Sequence, residues 1–361
     1  LFIKNKFNKI EKRIRDLYIM RMKNIIRIVI MMQLVVVYSC TNSTEQESDI
    51  NTQQIEDAFS DAQHIPSLKS LIVKQRGNII KEEYFGSASA DQEVDIHSVT
   101  KSITSILIGI AIDKGYIQSV DQKINEFITP PIATVPPDKA GLTIRHLLTM
   151  TGGFPGDGYS GSDTGADEIN YILSVPLVHQ PGVQFCYDSG AYHLLSVILT
   201  RAAGMTTKAF ADKYLFSPMG IGNRTWATDS RGYFVGSAGL FLTGRDMMKI
   251  GELILNDGLY NGTRIVASGW TDQIKLAKIA TQDGGYYAFG YSYGFWIGSY
   301  YNRGYCFAMG WGGQFIFTVP SLELVITAAN NPGGASDTEA ANYSGRTIDL
   351  IMTRILTAFK K

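Results

Sequence analysis

Cysteine is scarce: Cys40, Cys186 and Cys306 are the only three among 361 residues. So sparse and odd a set argues against a disulfide framework. Unless the fold brings Cys186 and Cys306 together, they read as two buried free thiols. The five histidines show no ligand spacing such as His-Glu-x-x-His, which argues against a zinc enzyme. Charge of either sign is not in excess, with 33 Lys+Arg against 33 Asp+Glu. There is no basic stripe or acidic tail, hence no electrostatic case for nucleic acid. The apolar run Ile28 to Val37 is also too short to span a bilayer. What remains is ordinary globular composition, 45% hydrophobic and 18% charged, enough for one large domain or two small ones.

That short run instead suits the core of a signal peptide. It follows Met20 and Met22 and the basic residues Arg21, Lys23 and Arg27. Val37-Tyr38-Ser39-Cys40 resembles a bacterial lipoprotein cleavage box, although Tyr38 departs from the small residue usual there. In that reading Cys40 is lipidated and becomes the mature N-terminus, placing the protein in the bacterial cell envelope, periplasmic or at the outer surface. The expected organisation is an untranslated stretch 1–19, a signal peptide 20–39, a polar linker 40–60 and one folded domain 61–361.

Within that domain, "LKSLIVKQRGNIIKEEYFG" alternates as a hairpin about Arg76-Gly77. "SVTKSITSILIGIAIDKG" is helical, with Ile103, Ile106, Leu107 and Ile110 on one face and Gly115 as its stop. Further helices are expected after Thr143, Ser189 and Thr243 as N-caps. Between Gly153 and Asn170 lies a glycine-rich loop long enough to be a lid or surface decoration. From Tyr286 the pattern becomes strands, and "GRTIDLIMTRILTAFKK" closes the chain as an amphipathic helix. Strands at both ends with helices between predict an α+β fold: one antiparallel sheet completed by both chain ends, carrying an inserted helical lobe.

"GYSYG", at Gly290, Ser292 and Gly294, matches the Gly-x-Ser-x-Gly pattern of a nucleophile elbow. An elbow needs a helix directly after the serine, whereas "FWIGSYYNRG" continues as strand and turn. Ser292 is therefore expected to be a decoy, its glycines marking close packing. Ser98-Val99-Thr100-Lys101 is the better candidate. Ser and Lys at i and i+3 share a helix face, and a serine in the first turn gains from the helix dipole. Burial disfavours the charged form of a lysine, which then helps to deprotonate a neighbouring hydroxyl. His97 points elsewhere, about 100° around the helix, and His146 and His193 read as satisfied buried histidines.

The run "IHSVTKSITSILIGIAIDKGYI", with "KQRGNIIKEEYFG" before it and "LTIRHLLTMTGG" after, resembles the serine hydrolases related to class C β-lactamases and penicillin-binding proteins. That family includes esterases, D-amino-acid peptidases and hydrolases of nylon oligomers. The resemblance spans about Leu68 to the final helix. It implies a β-lactamase/transpeptidase-like fold whose terminal helices flank the sheet and whose inserted lobe is all-helical. The family's Tyr-x-Asn motif falls on "YDS", so Tyr187 takes the tyrosine place and Ser189 stands where asparagine is common. A tyrosine acts as a base only where positive charge stabilises its phenolate. The third motif, Lys-Thr-Gly or His-x-Gly, falls on Trp311-Gly312-Gly313 before Gln314, with no basic side chain at its head. The resemblance implies backbone N–H groups of Ser98 and Gln314 as the oxyanion hole, Gly313 as the point of close substrate approach, and Trp311 as a cleft wall. A tight turn would also explain these glycines.

The expected activity is a serine hydrolase that forms an acyl-enzyme on a small ester or amide. Ser98 is the nucleophile, and Lys101 and Tyr187 move protons; no metal or organic cofactor is needed. The expected partners are that substrate and, through Cys40, a membrane. Two alternatives stand beside it: a cell-wall β-lactamase or DD-peptidase, and a catalytically idle module that binds peptidoglycan or a partner protein.

Overall fold

Eight strands pair into one antiparallel sheet in a computed structural model that describes residues 50–156, 167–281, 283 and 285–359. They are β1 (Leu68–Gln75), β2 (Asn78–Tyr84), β3 (Ile279–Ala280), β4 (Gly290–Ser292), β5 (Phe295–Tyr300), β6 (Arg303–Gly310), β7 (Gln314–Val319) and β8 (Leu324–Asn330). Their order is β2-β1-β8-β7-β6-β5-β4-β3. From β3 to β8 the chain meanders between neighbours, and β1 then pairs with β8, Leu71 opposite Ala328. Both ends of the domain thus complete one sheet, as the sequence predicts. At the β1–β2 turn Arg76 and Gly77 both adopt left-handed backbone (φ 48° and 77°), the twist a two-residue hairpin requires.

Nine helices accompany the sheet among the described residues: α1 (Thr52–Ala62), α2 (Val99–Asp113), α3 (Ile144–Leu148), α4 (Glu168–Ser174), α5 (Ser189–Ala203), α6 (Thr207–Ala211), α7 (Gly244–Leu255), α8 (Ser268–Ile274) and α9 (Asp337–Leu350). Helices α2 to α6 lie in sequence between the two groups of strands, as an inserted helical lobe should. Leu71, Ile72 and Val73 are all fully buried, so β1 is covered on both faces. On one face α7 packs through Gly251, where an added Cβ would lie 2.3 Å from Val325 Cγ1. Helix α1 packs against β1 and α9.

Three boundaries differ from the sequence reading. The stretch taken as polar linker through residue 60 contains α1, so the folded unit begins at Thr52 rather than 61. Its polar residues hid a narrow apolar stripe, Ile55, Ala58, Phe59 and Ala62, at helical spacing. Helix α9 begins at Asp337, eight residues before the expected "GRTIDL", because Ser336 and Glu339 form a capping box there. Thr143 and Thr243 cap their helices as expected. On α5, however, Asp188 is the cap and Ser189 is the first helical residue.

Cys306 is a buried thiol, not bridged to Cys186, and burial pushes its pKa up to about 12. Cys186 is only half-buried. Cys40, the expected signal peptide and the untranslated stretch lie outside the described residues, as does most of the glycine-rich loop (157–166). No helix among the described residues is long and apolar enough to cross a membrane.

Candidate active site

Helix α2 is buried on every side, without a break from Val99 to Ala111. A sharp backbone turn sets its start. His97 takes left-handed backbone (φ 47°), held by its N–H on Asp95 Oδ1 at 2.8 Å. Ser98 follows at the helix N-terminus, and its hydroxyl makes no capping bond. Helix capping therefore does not account for a serine at this place.

Lys101 is only 1% exposed, so its amino group must find partners inside the protein. It lies 2.9 Å from Ser98 Oγ, 3.0 Å from Ser189 Oγ and 3.1 Å from the Ser237 carbonyl oxygen. It also sits over the face of Tyr187, 4.7 Å from the ring centroid. Four of the sequence candidates therefore meet at one amino group. Asp188 makes this possible by capping α5, its Oδ1 accepting from Ala191 N at 2.6 Å. With Asp188 in the cap, the Ser189 hydroxyl faces Lys101, 3.0 Å from its amino group.

Behind Tyr187 stands a wall of buried rings. Trp296 on β5 stacks on it (6.0 Å, 13° between planes), while Tyr291 and Phe185 both meet Trp296 edge-on. The β4–β5 turn presses against α2 itself. Gly294 has φ 83°, and an added Cβ would fall 2.9 Å from the Lys101 carbonyl oxygen. Ser102 Oγ donates to the Gly294 carbonyl at 2.5 Å. This is the close packing expected of the Gly-x-Ser-x-Gly match, with Gly294 in the turn rather than beside Gly290 on the strand. Ser292 is fully buried and donates to the Gln273 carbonyl at 2.6 Å. It ends a strand that turns into a second antiparallel strand, so no elbow exists here.

The third motif forms the β6–β7 turn. Gly312 and Gly313 have φ 77° and 100°, and Gly313 N–H donates to the Gly310 carbonyl at 3.1 Å. The tight-turn explanation of these glycines is thus correct, whatever else they do. An added Cβ on Gly310 would lie 2.4 Å from the Ile96 carbonyl, which brings this turn against the entry to α2. Trp311 is 39% exposed and meets His97 edge to face, ring centroids 5.2 Å apart. Gln314 is fully buried, its side-chain amide donating to the Asn330 carbonyl and accepting the Asn330 N–H. Any part it plays in the cleft falls to its backbone.

His97 is held below its ordinary pKa by burial, with Asp95 opposing that shift. His146 Nδ1 accepts from Thr143 N at 3.2 Å, and His193 is bonded through both ring nitrogens. Both are satisfied, as expected, but only His193 is buried and His146 is half-buried. The Ser237 carbonyl is the one member of the Lys101 shell that carries no sequence signal, since every residue has a carbonyl.

The chain as a whole has relatives among known proteins. A 6-aminohexanoate-dimer hydrolase of Paenarthrobacter ureafaciens is 23% identical over 241 residues, covering 62% of this chain and 58% of that protein. Penicillin-binding protein 4* of Bacillus subtilis is 25% identical, covering 42% of this chain and 36% of its own length. The matches therefore span less than two thirds of either relative. Among solved structures, an octameric penicillin-binding protein homologue from Pyrococcus abyssi superposes with a TM-score of 0.66 at 18% identity, over 85% of this chain and 77% of that one. A family VIII carboxylesterase superposes with a TM-score of 0.63 at 17% identity, over 83% and 97%. These structural likenesses confirm the β-lactamase/transpeptidase-like fold. The Beta-lactamase family model matches residues 52–348, and the chain belongs to that family of serine hydrolases, which includes esterases and amidases.

Proposed function

We propose that this protein hydrolyses a small, uncharged ester or amide through an acyl-enzyme on Ser98. The observation that carries the reading is the buried Lys101 amino group, 2.9 Å from Ser98 Oγ and over the ring of Tyr187. Lys101 and Tyr187 take the proton as Ser98 Oγ attacks the carbonyl carbon, then return it to the leaving group. Water attacks the resulting acyl-enzyme and regenerates Ser98. The N–H of Ser98, at the positive end of α2, and that of Gln314 stabilise the tetrahedral oxyanion. Trp311 supplies an apolar wall. With Trp311 at the head of the third motif and Ser189 in the asparagine place, the site offers less to a carboxylate-bearing β-lactam or stem peptide than to a neutral substrate.

A fluorophosphonate probe tests this directly. Mass spectrometry of the labelled protein should find the probe on the Ser98 peptide, and Ser98→Ala should abolish it. A label on Ser292, or folded protein that takes no label, would sink the reading. Rapid turnover of a chromogenic cephalosporin would move the substrate class to β-lactams.

A further inference from the structure

His193 and Asp229 are buried titratable side chains to which the proposed chemistry gives no step, their side chains 5% and 2% exposed. Their hydrogen bonds run toward the candidate site. His193 Nδ1 accepts the Gly236 N–H at 3.1 Å, so the proton of the neutral ring sits on Nε2, which donates to Asp229 Oδ2 at 3.0 Å. Asp229 Oδ1 in turn accepts from Arg231 N and Tyr233 N at 2.9 and 2.8 Å. The residue after Gly236 is Ser237, whose carbonyl lies 3.1 Å from Lys101 Nζ.

Gly236 is clamped from the α2 side as well, its carbonyl accepting from Thr104 Oγ1 at 2.7 Å. It has no room to shift toward α5, where an added Cβ would stand 2.9 Å from Ser196 Cβ. His193 also lies one helical turn beyond Ser189, which holds Lys101 from the same helix. One face of α5 thus governs two of the three oxygens around the Lys101 amino group.

We infer that the His193–Asp229 pair is a positioning device for Lys101: it fixes the Gly236–Ser237 backbone so that the Ser237 carbonyl orients the amino group toward Ser98. The inference rests on the reading of Ser98 and Lys101 given above. Asp229 locks the ring tautomer and orientation, much as an outer partner does for a metal-bound histidine. Neither residue touches substrate.

Two substitutions separate positioning from mere packing, because each preserves half of the bonding. In His193→Asn the side-chain oxygen stands near the place of Nδ1 and still accepts from Gly236. In His193→Gln the amide nitrogen stands near the place of Nε2 and still donates to Asp229. For Asn, which keeps the Gly236 bond but loses the lock from Asp229, the rate of Ser98 labelling by a fluorophosphonate should fall by about tenfold or less. For Gln it should fall on the order of 10²-fold, the scale of an ångström's misplacement. Should the His193 variants fail to fold, Thr104→Val, which removes the clamp on Gly236 from the other side, should slow labelling, and Thr104→Ser should restore it. Equal labelling of wild type and the Gln variant, or losses that merely follow Tm in both His193 variants, would overturn this inference and leave the proposed chemistry intact. A wild type that takes no label on Ser98 would overturn both.

Discussion

Replacing Lys101 by methionine should cost activity far more than stability. Methionine roughly matches the length and shape of the lysine stem, so the 1% exposed site stays filled. What disappears is the set of contacts to Ser98 Oγ, Ser189 Oγ and the Ser237 carbonyl. The two hydroxyls can turn to other partners, whereas the carbonyl is orphaned, at about 1–3 kcal/mol for a buried acceptor. Against that, the protein no longer has to desolvate an amino group, which costs a similar amount or more. The net change in unfolding free energy should therefore stay within about 2 kcal/mol. Loss of a positioned proton-transfer group removes about 10²–10⁴-fold in rate, or ~3–5 kcal/mol of barrier. Urea unfolding and the second-order rate of fluorophosphonate labelling measure the two quantities on one preparation. A variant that labels Ser98 as fast as wild type would refute Lys101 as a proton-transfer group. One that has lost activity and most of its stability together would refute the claim that the amino group can be removed without harm to the fold.

Gly294→Ala should destabilise by at least ~2 kcal/mol, since it combines left-handed strain with overpacking against Tyr192 and the Lys101 carbonyl; a urea midpoint unchanged from wild type would contradict it. Trp311→Ala should raise KM for an aryl ester roughly tenfold through lost apolar burial, with kcat changed less than about threefold. A fall in kcat alone would show that Trp311 is no wall. Asp229 gives a pH test. Burial by itself would raise its carboxyl, but the hydrogen bond from His193 and those from the Tyr233 and Arg231 N–H groups hold it below its ordinary value. A depressed carboxyl contributes stability that is present above its unfolded pKa, about 4, and lost as pH falls through the folded one. Asp229→Asn should therefore narrow its stability gap from wild type as pH drops from 7 toward 3; a constant gap would remove Asp229 from the acid transition.

How much of this was legible depended on whether a feature is carried by side-chain type or by backbone. Ser98 and Lys101 could be paired because i and i+3 on a helix must share a face, and the structure places Lys101 Nζ 2.9 Å from Ser98 Oγ. Ser292 could be set aside because no helix follows it, and the hairpin register Ser292 to Phe295 shows why. Ser189 was named, yet its contact with Lys101 hung on a local contest that composition does not settle: whether it or Asp188 caps α5. The carboxylate takes the cap, as the positive helix end favours, and only then does the serine hydroxyl reach Lys101. Helix α1 was hidden by polar residues around its four apolar ones, a stripe too narrow to stand out in one short window. The Ser237 carbonyl could not be read at all, and His193 could be read only as a satisfied buried histidine, with nothing in the sequence to mark Asp229 as its partner. The residues that hold Lys101 come from α2, α5 and an irregular segment 136 positions away, and only the fold brings the last of these within reach.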